Sequence, residues 1–283
     1  FADCDLEERV SGSVLECFYN SGQSCDAPTR LLVERSCYEE VLKIAKRTAE
    51  NQAVDEPTKE GEHLGPLFDK IQFDRVQNMI KVGLDEADLL VGGLGKPEGF
   101  EDGWYVKPTI FKDVSNDMRI AQEEIFGPVL HVAKFDPSEL DQIVEDINSS
   151  GYGLTFGLHT RIDDRAQKIT ANLNMGNMYV NRNQIGAIVG SQPFGGEGLS
   201  GTGPKAGGPN YLQKFITEKK YKNTKSDQCR PLKKEIIQSA LNNLTPKIHR
   251  KLGSELMKGP TGESNLLSYF SIGTILCLGP TIE

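Results

Sequence analysis

The chain has 283 residues, 37% of them hydrophobic and 25% charged, with a formal net charge of −8. That acidity argues against nucleic acid or an anionic membrane surface as the main partner. No apolar run approaches the roughly 18–20 residues of a membrane-spanning helix, and Phe1–Val10 lacks the apolar centre of a signal peptide.

The cysteines (Cys4, Cys17, Cys25, Cys37, Cys229 and Cys277) show no Cys-x-x-Cys pair and no histidine at ligand spacing. The pattern fits a reducing cytoplasm better than a disulfide scaffold, and no metal site is expected. In chain order, TRLLVE (Thr29–Glu34) reads as a short buried strand and Cys37–Gln52 as a helix. Asp69–Ala87 reads as a second amphipathic helix, followed by the short strand DLLVGG. Trp104–Phe111 is β-rich, and Pro108 places it at an edge or a bend. Gly127–Phe135 reads as a strand, and Ser138–Ser150 as a helix with a serine N-cap signal. GLTFGLHT is a strand, RIDDRAQKITANL a helix and Asn177–Asn181 a strand. Strands alternating with helices predict an α/β domain built on a mostly parallel open sheet with flanking helices.

Asn183–Pro209 is rich in glycine and too long for an ordinary connection, which points to a functional loop. Its apolar residues argue against disorder. From Lys219 the chain turns basic, reading as a strand or linker; a further helix from Lys234 up to Pro246 and a last strand at Gly273–Leu278 complete a C-terminal extension.

Four motifs, in this order, carry a family resemblance: GQSC at Cys25, GWYVKPTIF, QEEIFGPVL and PFGGEGLSGTG. Over Phe1–Thr224 the chain resembles the catalytic portion of the aldehyde dehydrogenases. The back half, including the Asn181–Pro209 loop and the segment GPTGESN, is similar to the dehydrogenase half of proline utilisation A, which oxidises L-glutamate γ-semialdehyde with NAD. The front half, to about Arg119, looks more like a general aldehyde dehydrogenase.

The resemblance implies that Cys25 is the nucleophile, whose thiolate attacks an aldehyde carbonyl. Gly22 permits a sharp turn, and a turn into a helix would direct backbone N–H groups at Cys25 and lower its pKa. Glu124 would bind the nicotinamide ribose of NAD, and Phe126 would pack against the nicotinamide. Gly186 and Ala187, with Ile188, would anchor a substrate carboxylate through backbone N–H groups, and Phe194 would wall its aliphatic chain. Asn181 and Arg182 would position that loop. Asp26 stands at the substrate end where the resemblance implies serine; its charge would repel an anionic substrate and raise the cysteine pKa.

The resemblance implies a catalytic domain over 1–218, an oligomerisation strand or linker over 219–230 and an extension over 231–283. Phe215–Lys225 would pair with a neighbouring subunit and make a homo-oligomer. The family's general-base glutamate and NAD-binding domain are absent from the sequence, so the chain alone is expected to be inactive. Two other readings stay open: a general aldehyde dehydrogenase, favoured by Asp26, and a non-catalytic interaction module derived from one.

Overall fold

The computed structural model of the protein describes residues 1–216, 233–242 and 251–271. The chain divides into two compact units, one of Phe1–Gly186 with Gly195–Gly203 and one of Ala187–Phe194 with Pro204–Glu283.

The first unit opens with α1 (Leu6–Phe18). Asp5 caps it, its carboxylate accepting from the Glu8 N–H at 3.2 Å, and Val10, Val14, Cys17 and Phe18 recur at helical spacing and are buried. Next come β1 (Arg30–Glu34), α2 (Tyr38–Asn51) and α3 (Lys70–Glu86), which Asp69 caps. The strands β2 (Asp88–Val91) and β3 (Thr109–Lys112), the short α4 (Arg119–Gln122) and β4 (Val129–Phe135) follow.

Four strands form one sheet in the order β1-β4-β3-β2. β1 and β3 run parallel to β4, and β2 closes the sheet antiparallel to β3. Alternation along the strands divides the core between the two faces. Ile110, Leu130 and Val132 pack in a cluster with α1 and α2, while Phe111 and Val129 pack with α3 and α4.

α5 (Leu140–Ser149), β5 (Tyr152–Gly153), β6 (Thr155–Leu158), α6 (Asp163–Asn172), β7 (Asn177–Val180) and β8 (Glu197–Gly198) complete this unit. β6 and β7 pair in parallel, and Leu158, Ile169 and Leu173 form a third cluster. In the second unit, α7 (Lys234–Asn242) precedes an antiparallel hairpin of β9 (Lys251–Met257) and β10 (Asn265–Phe270).

The α/β class and the parallel pairings agree with the sequence reading. Two local expectations need correction. The β-rich segment at Trp104–Phe111 becomes a strand only from Thr109, and β3 lies inside its sheet; Pro108 marks the entry, where no N–H is needed. The helix expected from Ser138 begins at Leu140, and ahead of it Asp136, not serine, caps a short 3₁₀ turn through a reciprocal box with Glu139. The helix from Lys234 is described only as far as Asn242. The basic linker after Lys219 and the expected strand at Gly273–Leu278 lie outside the described residues. So does most of the Phe215–Lys225 segment, whose first residue closes an exposed 3₁₀ turn, Tyr211–Phe215. Among the described residues no helix is long and apolar enough to cross a membrane.

Candidate active site

α1 ends at Phe18, and the chain then reverses through Asn20, Ser21 and Gly22, whose φ angles are 51°, 56° and 71°. Successive left-handed residues, two of them not glycine, are uncommon outside functional turns. The turn is held from both sides. Asn20 Nδ2 donates to the Gln23 carbonyl at 3.0 Å, Ser21 Oγ donates to the Gly65 carbonyl at 2.8 Å, and the Phe68 N–H donates to Gln23 Oε1 at 3.0 Å.

Gly22 also touches the turn that carries Glu124 and Phe126. A Cβ added there would lie 2.1 Å from the Gly127 carbonyl oxygen and 2.6 Å from the Pro128 nitrogen. Only glycine combines this φ with so close an approach of two backbones. The GQSC and EIFGP motifs, about a hundred residues apart in sequence, therefore meet at one backbone contact.

Cys25 follows this turn by three residues and is exposed. The residues after it run through a tight turn into β1, and no helix begins there. The expected helical N–H groups are missing and the thiol pKa moves the other way. Packing around the thiol raises it most, and the Asp26 and Glu124 carboxylates raise it further. Asp26 is buried, and its Oδ1 accepts from Ser24 Oγ at 2.5 Å.

Glu124 presents an exposed side chain, and Phe126 is half-buried with φ 58°. α3 carries their turn. Arg75 donates to the Glu124 carbonyl at 2.6 Å, and Gln72 Nε2 donates to the carbonyls of Ile125 and Phe126 at 3.1 and 2.8 Å. Sequence reading missed Arg75 and Gln72. They look like ordinary polar positions on an amphipathic helix, and nothing local reveals their partners about fifty residues away. α1 was also passed over, although Val10, Val14, Cys17 and Phe18 carried its signal.

Asn181, at φ 56°, accepts from the Thr160 N–H at 3.0 Å and donates to the Thr160 carbonyl at 2.8 Å. The Arg182 guanidinium lies 5.3 Å from the centre of the Tyr179 ring. These contacts hold the two residues that lead into the glycine-rich loop. Gly186 is exposed at the end of the first unit, whereas Ala187 and Phe194 belong to the second. In that second unit Phe194 bridges to Ala206. Gln192, buried, donates to Glu263 and Asn265 of the hairpin at 3.1 and 3.2 Å.

The first unit is thus an α/β scaffold that displays an open thiol just after a left-handed turn, beside an exposed carboxylate and a half-buried phenyl ring. Residues 1–221 match the model of the Aldehyde dehydrogenase family, and the chain belongs to that family. It is 39% identical over 210 residues to the 1-pyrroline-5-carboxylate dehydrogenase of Bacillus licheniformis, covering 74% of this chain and 40% of that protein. It is 34% identical to the Bifunctional protein PutA of Klebsiella aerogenes in an alignment covering 96% of this chain and 23% of that protein. A solved 1-pyrroline-5-carboxylate dehydrogenase from Thermus with bound NAD superposes with a TM-score of 0.69 at 37% identity, covering 75% of this chain and 40% of that one. The chain therefore spans less than half the length of these relatives.

Proposed function

We propose that this chain is the nucleophile-bearing part of an NAD-dependent aldehyde dehydrogenase that takes L-glutamate γ-semialdehyde to glutamate. One observation carries the reading: the backbone contact between Gly22 and Gly127 sets the open thiol of Cys25 beside the turn of Glu124 and Phe126. Cys25, its proton passed to solvent, would add to the aldehyde carbon as thiolate and leave the alkoxide of a thiohemiacetal. Loss of hydride from that carbon gives a thioester, which water cleaves to the acid and the free thiol.

The residues present fit the cofactor named in the Thermus relative. The carboxylate of Glu124 is exposed and free to accept from vicinal hydroxyls, and the ring of Phe126 offers an apolar face. NAD, when bound, would supply the acceptor for the hydride. Arg75 and Gln72 hold the carbonyls of Glu124, Ile125 and Phe126, so these two side chains can stay available.

Within this reading the thiol rests protonated at neutral pH, because its raised pKa keeps the thiolate fraction small. Gly186 and Ala187 would offer backbone N–H groups to the substrate carboxylate, and Phe194 would cover its methylenes. We read it as a cytoplasmic protein that pairs with a second copy through Phe215–Lys225.

A second reading, a general aldehyde dehydrogenase, is favoured by Asp26, a buried acid adjoining the nucleophile where an anionic substrate would approach. Alkylation of Cys25 by iodoacetamide, followed by peptide mass spectrometry, separates these. L-Glutamate γ-semialdehyde should protect Cys25 but not Cys4, and at lower concentration than butanal does. Stronger protection by butanal would favour the second reading. No protection by either aldehyde would sink both and leave the non-catalytic module.

A further inference from the structure

Gln184 stands at the head of the glycine-rich loop and, unlike exposed Asn183 and Gly186, is buried. Its side-chain amide reaches back to the nucleophile turn, with Nε2 donating to the carbonyl of Asp26 at 3.3 Å. Its Oε1 occupies the space beside β6 where a side chain of Gly157 would begin: a Cβ there would lie 2.5 Å from that oxygen. Its backbone N–H lies close enough to the carboxylate of Glu16, on the last turn of α1, to stabilise that charge. Three segments distant in sequence thus converge on one residue.

A buried amide is a costly way to fill space, since an apolar side chain of the same length would do so without desolvating polar atoms. What the amide adds is direction: a hydrogen bond to the residue that follows Cys25. The charged groups around it are Glu16, Asp26 and Arg182. Burial raises the pKa of Glu16, the Gln184 N–H and Arg182 oppose that rise, and Asp26 adds to it. From the other side, Cys25 faces Asp26 and Glu124.

We propose that Gln184 is a positioning residue that clasps the Cys25 turn against Glu16 of α1 and Gly157 of β6, and so fixes how closely the Asp26 and Glu124 carboxylates approach the thiol. Its bearing on catalysis rests on Cys25 being the nucleophile; the clasp itself does not. Without it the turn relaxes toward solvent, the carboxylates move away from the thiol, and the thiolate forms more readily.

The test is the rate of Cys25 alkylation by iodoacetamide in the full chain, followed across the neutral-to-alkaline range by peptide mass spectrometry. Gln184→Met keeps the bulk and removes the amide. Gly157→Ala displaces the amide without touching the turn, and Gly157 has no left-handed φ to forbid alanine. Both should lower the midpoint of the profile by about half to one pH unit, making labelling at neutral pH about three- to ten-fold faster. Glu16→Ala should follow them, while Glu16→Gln, which keeps an acceptor for the Gln184 N–H, should stay with the wild type. Buried Cys17 reports folding, because it reacts only if the core opens. The proposal is overturned if Gln184→Met keeps the wild-type profile. It is equally overturned if every shifted variant also unmasks Cys17, since Gln184 would then be general packing. Failure of the aldehyde protection in the wild type would refute the nucleophile and leave this result standing.

Discussion

His131 shows how one side chain can couple this fold to pH. It lies in β4 opposite Arg30 of β1, is 5% exposed, and neither ring nitrogen has a hydrogen-bond partner among the described residues. Burial, and then the charge of Arg30, push its pKa down to about 4. The unfolded chain binds the proton near the ordinary histidine value, and the folded chain does not until about pH 4. The unfolded state therefore holds more protons in that window, and stability present above about pH 6.5 is lost as pH falls. The loss from His131 alone is about 2 kcal/mol by pH 5, of about 3 kcal/mol in full. Urea unfolding at about pH 7 and pH 5 should show it, and His131→Leu should flatten the difference. His159 is shifted in the same direction, to about 4, and should account for part of the slope that remains. At the same scale, Asp26→Asn keeps the acceptor for Ser24 and removes a charge beside the thiol. It should speed Cys25 alkylation at neutral pH several-fold, and an unchanged rate would show that the Asp26 charge does not raise the thiol pKa.

Among the elements, the join between the α1 turn and the EIFGP turn is the most sensitive. Gly22→Ala would have to hold an L-residue at φ 71° and move the Gly127 backbone away from a 2.1 Å contact. We expect a loss of about 3 kcal/mol or more, with Cys17 becoming reactive to thiol reagents at lower urea. Asp136→Ala removes one half of the box ahead of α5 and should cost only about 1 kcal/mol, measured by thermal unfolding. Periodicity located β1, α2, α3 and β4 almost to the residue, because each buries one face at a regular interval. Hairpin β9–β10 left no such mark. Its first strand is exposed along nearly its whole length, so no face alternates between apolar and polar. The cap of the 3₁₀ turn ahead of α5 was misplaced for a different reason. Asp136 and Ser138 both have capping side chains, and the choice depends on the Pro137 turn and the reach of Glu139.

For the whole molecule, the two units should differ in how readily they open. β4 lies inside its sheet with buried residues on both faces, whereas β9 and β10 form a separate two-stranded ribbon. Such ribbons are marginal in water without further cover. Hydrogen exchange followed by mass spectrometry should find the β4 amides among the slowest of the described residues and those of the hairpin exchanging early. Slow exchange throughout the hairpin would mean that something pairs with its edges.

The sequence by itself determined the α/β class, the order of most elements and the family, because these rest on local periodicity and on short motifs that keep their residue types together. It also offered Cys25, Glu124 and Phe126 as candidate site residues. The tertiary structure decided what stands around them. Gln184 meets the residue after Cys25 across a separation of 158 positions, and Gln72 holds the Phe126 carbonyl across 54. Packing and two carboxylates, one of them distant in sequence, turn the thiol pKa upward where local reading expected a helix to lower it. Contacts of this kind have no period and no fixed spacing. They exist only once the chain has closed on itself.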